Sequence, residues 1–156
     1  MFRVLPILSV LIPLSGCLSD SNAESPLPES EYQELNRGAY TVSGTFTEKQ
    51  VKVITSQASY NEELVNYTSE IPTIVDFSQG KVLLVDMGQR NSGGYSIGVS
   101  SISVEDNYIV AGVVLSSPGQ NCAVTLALTN PYQFVFIPTN KEILVSESLT
   151  VYDCAE

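Results

Sequence analysis

The chain has 156 residues, 44% of them apolar, with 17 acidic against 7 basic side chains, a formal charge of −10, and neither histidine nor tryptophan. That is one domain's worth of material with a sizeable core, and the missing imidazole excludes Ser-His-Asp and Cys-His nucleophilic sites and imidazole zinc centres. The acidic excess argues against nucleic acid as a partner, because phosphate binding runs on clustered Lys and Arg.

In chain order, residues 1–16 read first as a lipoprotein signal peptide. Arg3 supplies a positive start, and Val4 to Leu14 form an apolar run of signal-peptide length, too short to span a bilayer as a helix. Leu14-Ser15-Gly16-Cys17 has the form of a bacterial lipobox, which predicts lipidation at Cys17. Acyl chains contribute about 0.8 kcal/mol per buried CH2, so two or three of them moor a protein to a membrane without a transmembrane helix. Cleavage removes Arg3 and no acidic residue, leaving the chain more acidic still. Leu18 follows the cysteine instead of Asp, which favours the outer over the inner membrane of the cell envelope. Residues 17–29 are polar and carry Pro26 and Pro28, with too little apolar surface to offset ordering entropy, and read as a flexible lipidated tether.

Residues 30–156 form a single β-rich domain in this reading. Ser30-Glu31-Tyr32-Gln33 has capping-box spacing and Gly38 stands where a helix C-cap stands, which predicts a short helical turn between them. Beyond Gly38 the apolar period is mostly 2, with β-branched and aromatic enrichment. Strands are expected at 39–47, 50–56, 73–77, 81–88, 95–104, 108–117, 132–138 and 143–152. One helix interrupts them, starting at the capping box Ser59-Tyr60-Asn61-Glu62, with Tyr60, Leu64 and Tyr67 on one face. The clearest hairpin runs from Ile97 to Val113 and folds at Glu105-Asp106-Asn107. Those residues lack the oxygen spacing and distal Glu of a calcium loop, so no metal is expected, and no motif requires a cofactor. The fold class is therefore mainly β: an antiparallel β-sandwich or partly open barrel of about 7–8 strands with one short helix.

With Cys17 lipidated, Cys122 and Cys154 remain as an even pair in an exported chain, which predicts a disulfide. Closing a loop of about 33 residues is worth about 3.7 kcal/mol in the chain-entropy description. The competing reading of Cys122 as a nucleophile lacks an activating base, since neither Lys81 nor Lys141 is obviously near. The bridge also constrains topology. If Ala123 to Leu128 formed a full strand, Cys154 would end at the opposite pole from Cys122, whereas a long connection over 118–131 brings the two together. The alternation Val124, Leu126, Leu128 favours the strand and the bridge favours the connection; the connection is preferred. Three polar, Gly/Pro-rich segments then converge on one rim: Gly88 to Tyr95, Pro118 to Cys122, and Thr129 to Tyr132.

Gly88-Gln89-Arg90-Asn91-Ser92-Gly93-Gly94-Tyr95, preceded by Val75-Asp76-Phe77 and followed by Pro118-Gly119-Gln120-Asn121-Cys122-Ala123-Val124-Thr125 and Asn130-Pro131-Tyr132, resembles the C-terminal domain of the PrcB family over residues 73–138. Asn91 and Ser92 stand where the commoner pattern has Pro then Thr. The family is named for a lipoprotein subunit of a bacterial surface protease complex. The resemblance implies a non-enzymatic accessory module that docks on a protein partner and stabilises a cell-envelope protease.

The residues expected to carry docking are Arg90, Asn91, Ser92, Gly93, Gly94, Tyr95, Pro118, Gly119, Gln120, Asn121 and Tyr132. The glycines permit close backbone approach, Arg90 offers a forked donor, and the tyrosines offer large, partly polar surface. The bland reading of the same residues is a Gly-Gly turn, an Arg solvated or paired with Asp86, and tyrosines in the core. Two other functions stay open: a protease inhibitor, since Asn91-Ser92-Gly93-Gly94-Tyr95 resembles the Asn-Pro-Thr-Thr-Gly-Tyr loop of chagasin-type inhibitors, and a structural envelope lipoprotein with no protease link.

Overall fold

The computed structural model describes residues 32–42 and 47–154; the leader, Cys17 and the tether lie outside the described residues. It is a mainly β fold of two sheets and one helix. The elements are β1 (Gln33–Gly38), β2 (Gln50–Ile54), α1 (Gln57–Leu64), β3 (Lys81–Asp86), β4 (Ser96–Val104), β5 (Tyr108–Pro118), β6 (Tyr132–Ile137) and β7 (Glu142–Tyr152). One sheet has the order β1-β6-β3-β2 and the other β4-β5-β7, and neither closes into a barrel. No described helix is long and apolar enough to cross a membrane.

Alternation along the strands builds the space between the sheets. Leu83, Val85, Val135 and Ile137 face Ile97, Ile102, Ile109 and Val113 there, all buried. The β3 and β6 strands are buried on both faces, because the outer face of their sheet carries a second apolar layer. Tyr60, Leu64 and Tyr67, spaced as one helical face, are 0%, 2% and 1% exposed and cover Val82, Leu84, Tyr132 and Phe134. Tyr60 and Tyr67 meet Phe134 edge-on with ring centroids 5.8 and 5.2 Å apart, contacts worth about 0.5–1.5 kcal/mol each beyond area burial. The helix is thus the lid of a three-layer stack.

Several expected boundaries move, each for a reason beyond the local sequence. Residues 33–38 are a strand and not a helical turn, because β6 offers them a partner: Gly38 pairs with Tyr132, and a Cβ on Gly38 would come within 2.6 Å of the Tyr132 hydroxyl. The expected strand 39–47 is not one over its described residues, which connect β1 to β2; residues 43–46 lie outside the described set. Residues 73–77 join neither sheet, and Phe77 already lies in a turn. The Gln57 side chain takes the place of a neighbouring strand, accepting from the Val75 N–H at 2.9 Å and donating to the Thr73 carbonyl at 3.1 Å. The helix begins one turn early: Ser56 is the N-cap and accepts from the Ser59 N–H at 3.2 Å, so Ser59 lies inside the helix.

Among the described residues seven strands form, six in antiparallel pairs, as expected of the sandwich. The exception is β7, which pairs parallel to β5 over all eleven residues. Both strands run toward the same end of the molecule, and residues 119–131 form a long connection and not a full strand. Leu126 and Leu128 are accordingly exposed at 94% and 61% despite their alternation.

Candidate functional site

The strand directions decide which loops meet. The β3, β5 and β7 strands finish at the end where β2, β4 and β6 begin, so residues 87–95, 119–131 and 153–154 share one pole with the connection that follows β1. Hydrogen bonds then stitch these loops together. Arg90 and Thr129 exchange backbone hydrogen bonds at 2.8 and 3.0 Å, the Gly93 N–H donates to the Thr125 carbonyl at 2.9 Å, and the Thr129 hydroxyl donates to the Ser92 carbonyl at 2.8 Å. From the C-terminal side, the Tyr152 hydroxyl donates to the Gly94 carbonyl at 2.7 Å and the Gly119 N–H to the Tyr152 carbonyl at 2.8 Å. A disulfide joins Cys122 to Cys154, with Cα atoms 5.1 Å apart.

Two glycines earn their place in this rim by different means. Gly94 has φ +85°, where a side chain is strained, and a Cβ there would sit 2.9 Å from the Tyr152 hydroxyl. Gly93 has an ordinary backbone and is needed for closeness alone, since a Cβ would lie 2.5 Å from Thr125 Oγ1.

Beneath the rim is a buried polar knot that the sequence did not announce. Asp86 is fully buried and accepts from the Tyr67 hydroxyl at 2.8 Å, from the Gly88 N–H at 2.7 Å and from the Asn130 amide. Burial pushes the Asp86 carboxyl above its ordinary range, against the downward pull of those donors and of Lys52. Burial, with Asp86 beside it, likewise drives the Tyr67 phenol up. The knot fixes the turn at Gly88 (φ +73°) and ties the helix end to the Asn130 loop. It is a foundation for the rim, closed to solvent.

The expected docking residues divide by accessibility. Asn91, Gly94, Gln120 and Asn121 are exposed, while Ser92, Gly93, Tyr95, Pro118 and Gly119 are half-buried. Arg90 does not pair with Asp86. Its guanidinium donates to the Met87 carbonyl at 2.5 Å and lies 5.9 Å from the centre of the Tyr95 ring, so the fork is turned onto the chain itself. Tyr132 is 3% exposed, its ring 4.7 Å from that of Tyr67 and its hydroxyl donating to the Tyr67 carbonyl, and what remains accessible of it lines a groove beside the rim.

An open groove of ≈310 Å³ lies beside the rim, lined by Arg37, Gly38, Ala39, Tyr95, Ser96 and Pro131 among others. Arg37 fell in the expected helical turn and Ala39 in the expected strand 39–47; the strand pairing of Gly38 is what brings them to this pole. A larger hollow of ≈520 Å³ between β2 and α1 is polar, and in it Lys52 donates to both oxygens of Glu63 at 2.8 and 3.0 Å.

Fold and site together define a small β-sandwich that carries a covalently and hydrogen-bond-braced loop rim at one pole. Residues 81–138 match the family model described as PrcB C-terminal. The match starts with β3, ends just past β6, and contains both long rim loops whole; this region of the chain is PrcB-like. No curated protein and no solved structure matches the chain significantly.

Proposed function

We propose that this chain is a lipid-anchored accessory module of the bacterial cell envelope that docks through its loop rim on a protease and stabilises it. The observation that carries the reading is the extent of the PrcB-like region, which spans the rim loops 87–95 and 119–131 and the strands that aim them. A braced rim suits such a task, because loops already ordered lose little entropy on binding. Asn91, Gly94, Gln120 and Asn121 are its accessible contacts, with Tyr95 and the Arg37 side of the groove beside them. Arg90, Pro118, Gly119 and Tyr132 hold the rim's shape from within. Acylation at Cys17 would hold the module at the membrane, with residues 18–29 as its tether and the outer membrane as its site.

The test is co-production of the chain with envelope proteases of its own cell. An accessory module raises the yield or melting temperature of one protease with turnover unchanged, and Asn91→Arg with Gln120→Arg removes the effect. Loss of turnover would instead establish an inhibitor of the chagasin-like type, and no effect on any protease would leave a structural lipoprotein.

A further inference from the structure

The two sheets have four edges, and three are protected in the ways that natural sheets avoid unwanted pairing. The β1 edge carries a register shift between Glu34 and Asn36, and β4 carries one between Val99 and Ser101. The β2 edge is five residues long with Lys52 at its centre. The fourth edge, β7, has none of these devices. It runs eleven residues in unbroken register with β5, with no Gly, Pro, Lys or Arg, and no described segment pairs with its other side. Its inward charge, Glu147, is neutralised by Lys49.

The inner row of β7 changes character along its length. Ile143 and Val145 pack into the core, but past Glu147 the same row continues with Leu149 and Val151, exposed at 84% and 67%. Leu149 stands beside the buried Leu115, so an apolar surface runs from the core out to an open edge. The far end of that edge is held rigid: Tyr152 bonds Gly94 and Gly119, and Cys154 is bridged to Cys122. A strand edge that is long, apolar, unprotected and fixed at its end is a template for a further strand.

We propose that β7 accepts an extended segment of a partner polypeptide, paired beside Glu147 to Tyr152, with apolar residues at alternate positions over Leu149 and Val151 and basic residues toward Glu142 and Asp153. Charge selects this occupant. Pairing of a second copy along this edge joins two chains of formal charge −10, whereas a basic strand is attracted. The inference goes beyond the rim reading and does not need it.

The probe is a fluorescein-labelled nine-residue peptide of alternating valine and threonine with lysine at both ends, followed by fluorescence anisotropy on the full chain. Saturable binding is expected, weakened by about tenfold or more in Leu149→Lys with Val151→Lys and in a peptide with two valines replaced by proline. Both substituted side chains are exposed, and circular dichroism checks that the fold is kept. Asn91→Arg with Gln120→Arg leaves peptide binding unchanged, which separates this edge from the rim. Absence of saturable binding, binding indifferent to the lysine pair, or a dimer in sedimentation velocity that the lysine pair dissolves would each overturn the proposal.

Discussion

At the scale of the residue, the rim depends on a few positions where nothing else fits. Gly94→Ala must hold a side chain at φ +85° and move the Tyr152 hydroxyl, so it should lower stability by about 1–2 kcal/mol, read as a shift in the urea midpoint. Asp86 gives a pH signature. Its carboxyl pKa is higher folded than unfolded because burial outweighs its donors. Such a group contributes stability that is complete below its unfolded pKa and lost as pH rises through the folded value. The stability difference between the wild-type chain and Asp86→Asn should therefore shrink or reverse as pH rises out of the acid range; a difference that grows with pH contradicts the raised pKa. The close approach at Gly94 was legible in the sequence; the role of Asp86 was not. Asp86 ends an apolar strand like any boundary carboxylate, and only the arrival of Tyr67 and Asn130 makes it a buried centre. Tyr132 opens the expected strand 132–138 at the rim, and the missing side chain of Gly38 opens a buried place for its ring.

At the scale of the element, period-2 alternation located β4, β5 and β7 within a few residues because each has a core face with its own pattern, while β3 and β6, buried on both faces, stood out as short apolar runs. The same signal failed at 73–77, whose backbone bonds the Gln57 side chain and not a strand, and at 124–128, whose backbone meets the rim loop at Gly93. It also failed at β1, where local helix signals competed with a pairing whose partner, β6, is about a hundred residues away. The bridge was the most informative single inference, since it oriented β5 and β7 alike and turned 119–131 into a connection. Cys122→Ala with Cys154→Ala should lower stability by about 2–4 kcal/mol in urea unfolding. Reduction of the wild-type chain should reproduce that loss and leave the double variant unchanged.

At the scale of the whole molecule, the arrangement separates support from contact. One sheet is buried between the other sheet and α1, the strand ends aim the long loops at a single pole, and the Asp86 knot and the disulfide brace that pole from two sides. The opposite end carries the Glu105-Asp106-Asn107 turn, closed by a Glu105 to Tyr108 hydrogen bond of 2.9 Å and tied to the β6–β7 connection by the Lys141 ammonium, which donates to the Glu105 carbonyl. If the rim is where a protease binds, the two poles must differ in the cell. The most direct measurement places a photo-crosslinking amino acid at Gln120 on the rim or at Asn107 on the far turn, both exposed, and identifies the adducts formed in living cells. The account predicts a protease adduct from Gln120 and none from Asn107; equal adducts from both positions, or none from Gln120, would contradict it.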